Sequence, residues 1–287
     1  MHFVDAKSIL SAANGMNLYR GCLHGCIYCD SRSQCYQFQH DFEDIEVKQN
    51  APKLLRDALR KKRKQCMIGT GSMCDPYIPP ERDLLLTKQC LEIIAEYEFG
   101  AAVLTKSDLI LRDLELYRQI AKKQKAVVQM TLTTADDDLC NIIEPNVCPT
   151  SRRFEVLCEM REAGIPTVVW LTPLLPYLND TEENLTGILE LCRKAGVKGI
   201  VYFGMGMTLR SGSREYYYRA LDQHFPGLRR QYEREFGEQY EVARASQQGL
   251  DAVFHKFCEE NGILHRPEDC FRYLRELPEQ YTQLSLF

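Results

Sequence analysis

Over the first two hundred residues, short apolar runs alternate with amphipathic stretches of helical period. Residues 16–19 read as a first strand. Residues 52–64 read as a helix, because Leu54, Leu55, Ala58 and Leu59 share one face at helical spacing. Residues 66–69 are a strand ending in Gly69-Thr70-Gly71-Ser72. Pro79 and Pro80 then stand before a helix over about 81–97. Residues 101–105 and 126–133 are strands, the second rich in β-branched side chains, with a helix over 109–123 between them. Helices over 150–163 and 181–195 each stop at a glycine, Gly164 and Gly196, and precede strands over 166–172 and 199–203.

Six strands separated by five helices imply an α/β fold with parallel strands, either an open sheet or an incomplete barrel. In both, the reactive end is the C-terminal edge of the strands. From residue 211 the strand signals stop. The chain becomes helical, aromatic and charged, and Leu250, Val253, Phe254, Phe257 and Cys258 make a helical stripe. The expected organisation is a barrel over 1–210, a helical cap over 211–277 and a tail over 278–287.

Composition narrows the function classes. A hydrophobic share of 45% and a charged share of 26% suit a soluble chain with a sizeable core. The net charge of −4 means that any contact with nucleic acid must come from a local patch. No apolar run approaches the ~20 residues of a membrane span, and the first residues lack a signal-peptide core, so a cytoplasmic location is expected. Thirteen cysteines without a secretion signal point to reduced thiols. Cys90, Cys158, Cys192 and Cys258 sit in apolar helical contexts and read as core.

Cys22, Cys26 and Cys29 are different. They stand at C-x3-C-x2-C spacing in a glycine-flanked loop. Three thiolates in one loop hold three irons of a [4Fe–4S] cluster and leave the fourth iron open, and an open metal position is where chemistry occurs. A zinc site, with His24 or Cys35 as fourth ligand, is the alternative for the same spacing.

The triplet, placed after a first strand and before a βα series, resembles the radical S-adenosylmethionine (SAM) superfamily. Within it the chain resembles the spore photoproduct lyase-like group, relatives described as DNA repair photolyases. The residues that carry this are 19–22 through Cys29-Asp30, Asp75-Pro76-Tyr77 with Glu81-Arg82, Thr105-Lys106-Ser107, Glu144-Pro145 with Arg153-Phe154-Glu155, and Ala163-Gly164-Ile165-Pro166. The likeness spans roughly residues 17–203. It implies a partial (β/α)6 barrel of TIM type with a C-terminal helical extension. It also implies SAM chelated at the open iron and reduced by a donor such as flavodoxin or ferredoxin. Cleavage then yields methionine and a 5′-deoxyadenosyl radical. By the same resemblance Tyr28 packs on the adenine, and Ser72 or Cys74 faces SAM or substrate. Lys106 pairs with the SAM carboxylate, and Thr131 and Thr133 bind the ribose or methionine end. Cys74, displaced in register from the group's donor cysteine, is the candidate for returning a hydrogen atom to the product.

Three further features point to DNA. Arg60, Lys62 and Arg63 form a basic helix end able to contact phosphates. Arg20, Arg32, Arg210 and Arg214, with Tyr216, Tyr217 and Tyr218, are candidates for phosphate and stacking contacts near the rim. The last five residues, Gln283, Leu284, Ser285, Leu286 and Phe287, resemble the peptide by which bacterial replication and repair proteins dock on the DNA polymerase sliding clamp. In that reading Leu284, Leu286 and Phe287 fill an apolar pocket and Gln283 makes a polar contact. The expected function is radical repair of a thymine-type DNA lesion by an enzyme recruited to the clamp. The alternatives are a radical SAM enzyme acting on RNA or a peptide, and a non-catalytic metal-binding adaptor.

Overall fold

The computed structural model describes residues 1–247 and 249–278. Its strands are β1 (His2–Val4), β2 (Gly15–Met16), β3 (Tyr19–Arg20), β4 (Glu46–Lys48), β5 (Met67–Thr70), β6 (Gly100–Thr105), β7 (Ala126–Thr131), β8 (Thr167–Trp170), β9 (Gly199–Val201), β10 (Met207–Thr208) and β11 (Glu241–Val242). Its helices are α1 (Ala51–Lys61), α2 (Glu81–Leu84), α3 (Leu86–Glu96), α4 (Leu114–Lys123), α5 (Asp137–Ile143), α6 (Thr150–Glu162), α7 (Glu182–Ala195), α8 (Ser213–His224), α9 (Leu228–Phe236), α10 (Leu250–Glu260) and α11 (Pro267–Arg275). Six strands form one sheet in the order β2-β5-β6-β7-β8-β9, every pair parallel. Among the described residues, no helix is long and apolar enough to cross a membrane.

The period-2 alternation of the strands divides the apolar side chains between two cores. Ile68, Ala101, Val103, Val128, Met130, Val169 and Ile200 pack in the main core with the flanking helices. Met67, Ala102, Val127, Val168 and Val201 point the other way and pack on Cys270 and Leu274 of α11. The last helix therefore fills the concave side of the sheet, where a closed barrel would hold opposing strands.

The region expected as a helical cap over 211–277 carries α8, α9, α10 and α11. The region contains a strand, β11, paired antiparallel with β10 through Met207↔Val242 and Thr208↔Glu241. Its final helix lies inside the sheet's curve rather than over it. The expected first strand over 16–19 also divides. Gly15 and Met16 pair with Gly69 and Thr70 in the main sheet. Tyr19 and Arg20 pair with Val47 and Glu46 in a separate sheet of order β1-β4-β3. The chain leaves the barrel before it reaches the cysteines.

The helix expected over 81–97 breaks at Leu85, which adopts a left-handed φ of 53°. The fully buried Glu81 carboxylate receives the backbone N–H of Leu86 at 3.0 Å and of Thr87 at 3.0 Å, so it caps α3 from inside the protein. Arg112 donates to it at 2.9 Å and neutralises the buried charge.

Candidate active site

At the C-terminal edge of the parallel strands lies a cavity of about 750 Å³. Cys22, Cys26 and Cys29 form one wall. The strand ends supply the rest: Gly71, Ser72 and Cys74 after β5, Lys106 after β6, Thr131 from β7, Trp170 from β8 and Phe203 after β9. Small residues and polar groups gather at this edge because the loops there are free of helix packing.

Contacts from three directions fix the cysteine loop. Gly21 has φ +89°, and a Cβ there would sit 2.3 Å from the Phe42 carbonyl oxygen, so only glycine fits. Cys22 N–H donates to that same oxygen at 3.3 Å. From behind, residues 143–146 hold the loop: Ile27 N–H donates to Ile143 O at 2.9 Å, Asn146 N–H to His24 O at 3.1 Å, and Asn146 Nδ2 to Leu23 O at 2.8 Å. Tyr28 donates its hydroxyl to Glu144. Glu144 and Arg153 form an ion pair at 2.5 Å with neither side chain exposed. From the strand side, His24 Nε2 lies 3.0 Å from Asp75 Oδ2. Asp75 also accepts from Thr105 Oγ1 at 2.7 Å, Lys106 N–H at 2.7 Å and Tyr77 N–H at 2.8 Å, which ties the ends of β5 and β6 to the loop.

These neighbours bias the protonation states. The Cys74 thiol beside Cys22 pulls that thiol down, and His24 adds to the effect against the opposing pull of burial. Burial pushes the Cys26 and Cys29 thiols up, and the nearby Lys106 ammonium offsets part of that. Burial works to raise the Asp75 carboxyl too, but His24 and Thr105 hold it below the usual carboxylate range. A thiolate is the form that binds metal. Of the three, Cys22 is the thiol held toward that form, and Lys106 favours it at Cys26 and Cys29 against their burial.

The three cysteines do not belong to any set of donor atoms lying within 4.8 Å of one another among the described residues. The family of the chain decides between one zinc and a multi-iron core. The Radical SAM superfamily profile matches residues 16–189, more than half of the chain. The chain belongs to the radical SAM superfamily. The superfamily uses a [4Fe–4S] cluster and SAM, and Cys22, Cys26 and Cys29 would hold the cluster here.

Other similarities agree with the fold. An uncharacterized protein of Mycobacterium tuberculosis is 30% identical over 225 residues, covering 76% of this chain and 65% of that protein. An uncharacterized protein of Methanocaldococcus jannaschii is 30% identical over 181 residues, covering 62% and 67%. The chain thus spans 65% of the length of the mycobacterial relatives it matches. Spore photoproduct lyase complexed with dinucleoside spore photoproduct superposes with a TM-score of 0.66 at 11% identity, over 92% of this chain and 80% of that one. Streptococcus suis SuiB bound to S-adenosylmethionine gives 0.51 at 13% identity, over 86% and 50%. At such identities the likeness is one of fold.

Of the radical SAM positions expected from sequence, Tyr28, Ser72, Cys74, Lys106 and Thr131 line the cavity with the three cysteines. Lys106 Nζ lies 5.8 Å from the centre of the Tyr28 ring. Cys74 is buried in the wall, and its thiol donates to Gly21 O at 2.7 Å. Thr133 does not reach the cavity. β7 ends at Thr131, and Thr133 is buried with its carbonyl held by Asn179 and Asn184.

The basic residues 60–63 do not reach it either. Helix α1 returns the chain to the N-terminal edge of the sheet, so Arg60, Lys62 and Arg63 emerge at the end opposite the cavity. Lys62 bonds Asn14, just before β2 begins. The rim arginines are largely committed within the protein. Arg20 donates to Tyr36 O and Gln37 O, Arg32 lies between the Phe42 and Tyr216 rings, and Arg214 binds the carbonyls of Leu209, Gly237 and Gln239. Tyr217 is buried against Tyr232. Residues 283–287 lie outside the described residues.

Sequence reading missed an aromatic floor. Trp170 meets Phe203 at 6.2 Å and Phe271 at 5.9 Å, both edge-on, and Phe203 stacks on Phe271. Trp170 Nε1 donates to Gln129 Oε1 at 2.8 Å, which fixes the indole. Trp170, the only tryptophan, ends β8, and Phe203 follows the end of β9 by two residues; an aromatic at a strand's C-terminal end was the available signal. Phe271 carried none, because its place depends on α11 entering the concave face.

Proposed function

We propose that this chain repairs a nucleobase lesion in DNA by radical chemistry, with a thymine-type photolesion as the substrate class. The observation that carries the reading is Phe203. It is 58% exposed, yet it stacks on Phe271 and lines the same cavity as the cysteines. An apolar ring left to water on a cavity floor suits a planar aromatic ligand. A volume of about 750 Å³ falls within the range of roughly 300–1,000 Å³ usual for ligand sites. The fold match holds a dinucleoside spore photoproduct in its own structure, and this supports the same substrate class here.

When bound, the cluster and SAM supply a 5′-deoxyadenosyl radical that takes a hydrogen atom from the substrate. The chain's residues divide the remaining tasks. Lys106 meets the SAM carboxylate and Tyr28 the adenine, while Ser72 and Thr131 make polar contacts. Trp170 and Phe203 stack the flipped base, whose extrusion costs a few kcal/mol that damage reduces. Cys74 is the one thiol outside the triplet among the residues lining the cavity; it would return a hydrogen atom to the product radical, and the thiyl radical left on its sulfur would be reset to the thiol by one electron from the external electron donor and one proton.

The test is anaerobic reconstitution followed by SAM, reductant and oligonucleotides. Irradiated DNA should raise 5′-deoxyadenosine formation and be repaired; unirradiated DNA should not. Phe203→Ala should weaken lesion binding by about 1–3 kcal/mol, the usual worth of one base–aromatic stack, while basal SAM cleavage persists. Stimulation by RNA or a peptide instead of irradiated DNA would sink the DNA reading. Recruitment to the sliding clamp through Gln283 to Phe287 belongs to the same proposal. A pull-down on immobilised clamp should retain the full chain and lose one ending at residue 282, and equal retention would remove the recruitment claim.

A further inference from the structure

A second cluster of metal-binding side chains lies outside the cavity, on the small sheet that precedes and follows the cysteine loop. His2 of β1 and Glu46 of β4 stand directly opposite each other in the parallel register. His40 comes from the loop before β4. One donor atom from each of these three residues lies within 4.8 Å of the other two. The His2 and His40 rings meet edge to face, with centroids 4.8 Å apart.

The surroundings are those of a metal site. A ligating imidazole normally uses its second nitrogen to bond a carboxylate or a backbone carbonyl, which fixes the tautomer and aims the free nitrogen. Both rings do so: His2 Nδ1 lies 2.9 Å from Asp44 Oδ2, and His40 Nδ1 lies 2.9 Å from Asp41 O. That leaves each Nε2 for another partner. His40 Nε2 is buried and has no hydrogen-bond partner. The nearest ionic group to it is Glu46 Oε2 at 3.8 Å, beyond hydrogen-bond range. Among the described residues, no Lys or Arg pairs with Glu46. A buried ring nitrogen without a hydrogen-bond partner thus stands 3.8 Å from a half-buried carboxylate.

We propose that His2, His40 and Glu46 form a divalent transition-metal site, with zinc as the favoured ion. Two imidazoles and one carboxylate suit that borderline ion, with water as the fourth ligand. Bonds of about 2.1 Å set donor atoms roughly 3.4 Å apart, so small rotamer shifts close the set around an ion. The ion joins β1, β4 and the loop between the cysteines and β4. The same loop presents the Phe42 carbonyl that receives Cys22 N–H. The site therefore acts as a clip behind the cluster loop, separate from the cavity.

The test uses holoprotein carrying its iron–sulfur cluster, so that the cysteine loop is already filled. The chain bears no histidine tag and is supplied with zinc and passed over a mild chelator. Zinc and iron are then counted together. Wild type should retain about one zinc per chain. His40→Gln and Glu46→Gln should lose it with unchanged iron. Asp44→Asn, which leaves all three ligands in place but weakens the outer partner that Asp44 gives to His2 and to the Met1 ammonium, should lower zinc affinity about 10- to 100-fold. Equal zinc in wild type and variants, no retained zinc in wild type, or zinc and iron falling together would each overturn the site.

Discussion

Cys26→Ala should abolish cluster assembly and drive 5′-deoxyadenosine formation below detection, while the chain stays folded. The reason is geometric. Cys26 is buried in the cavity wall, and the neighbouring thiols are already engaged. Cys35 is exposed and turned toward Arg210, and Cys74 is engaged with Gly21 O. Two remaining thiolates fall short of the set that anchors a four-iron cluster. The cost to the apo fold is that of deleting one buried sulfur, roughly 1 kcal/mol, because the loop is held by Gly21, Ile27, Tyr28 and Asn146 rather than by the thiol. Iron and sulfide content, product formation and the unfolding curve of the apo chain separate the two effects. A variant that assembles cluster normally would mean that this cysteine is not a ligand.

Arg153→Met should be the most destabilising single change near the site, by about 3–5 kcal/mol, because it strands a buried charge. Arg153 is fully buried and pairs with Glu144 at 2.5 Å. It also donates to Cys148 O at 2.8 Å and Thr131 O at 3.0 Å, so it joins α6, the end of β7 and the segment behind the cysteine loop. Burial pushes the Glu144 carboxyl above its usual range even with Arg153 beside it. Without the arginine that carboxylate has Tyr28 as its remaining strong donor. Adding Glu144→Gln to Arg153→Met should recover part of the loss, since an amide tolerates burial better than an unpaired carboxylate. Urea unfolding of the three variants measures the coupling. Additive costs would show that the pair does not act as a unit.

The task of Cys26 is legible in its spacing, whereas Glu144 and Arg153 are singled out by type and their task is not revealed by the sequence. Glu144-Pro145 and Arg153 carry part of the family likeness, and the structure shows their work: they brace the cysteine loop from a point over a hundred residues away. Asp75 is similar, a motif residue that ties two strand ends to His24. The basic run at 60–64 shows the reverse. Its charge is plain in the sequence, but its direction follows from the helix returning to the N-terminal edge, away from the cavity.

What local order in the chain settles is the βα alternation and the cysteine loop. The helical and strand periods differ, and ligands three and four residues apart share one loop. The parallel order of the six strands follows from that, while Tyr28, Ser72, Lys106 and Thr131 came from the family resemblance and are found lining the cavity. Other features depend on contacts between distant segments. The entry of α11 into the concave face, the aromatic floor it supports and the meeting of His2 with His40 and Glu46 are of this kind. So is the departure of the chain from the barrel just before Cys22. No spacing or period records such contacts, because the energy that selects them comes from burying surfaces that become neighbours only when the chain has folded.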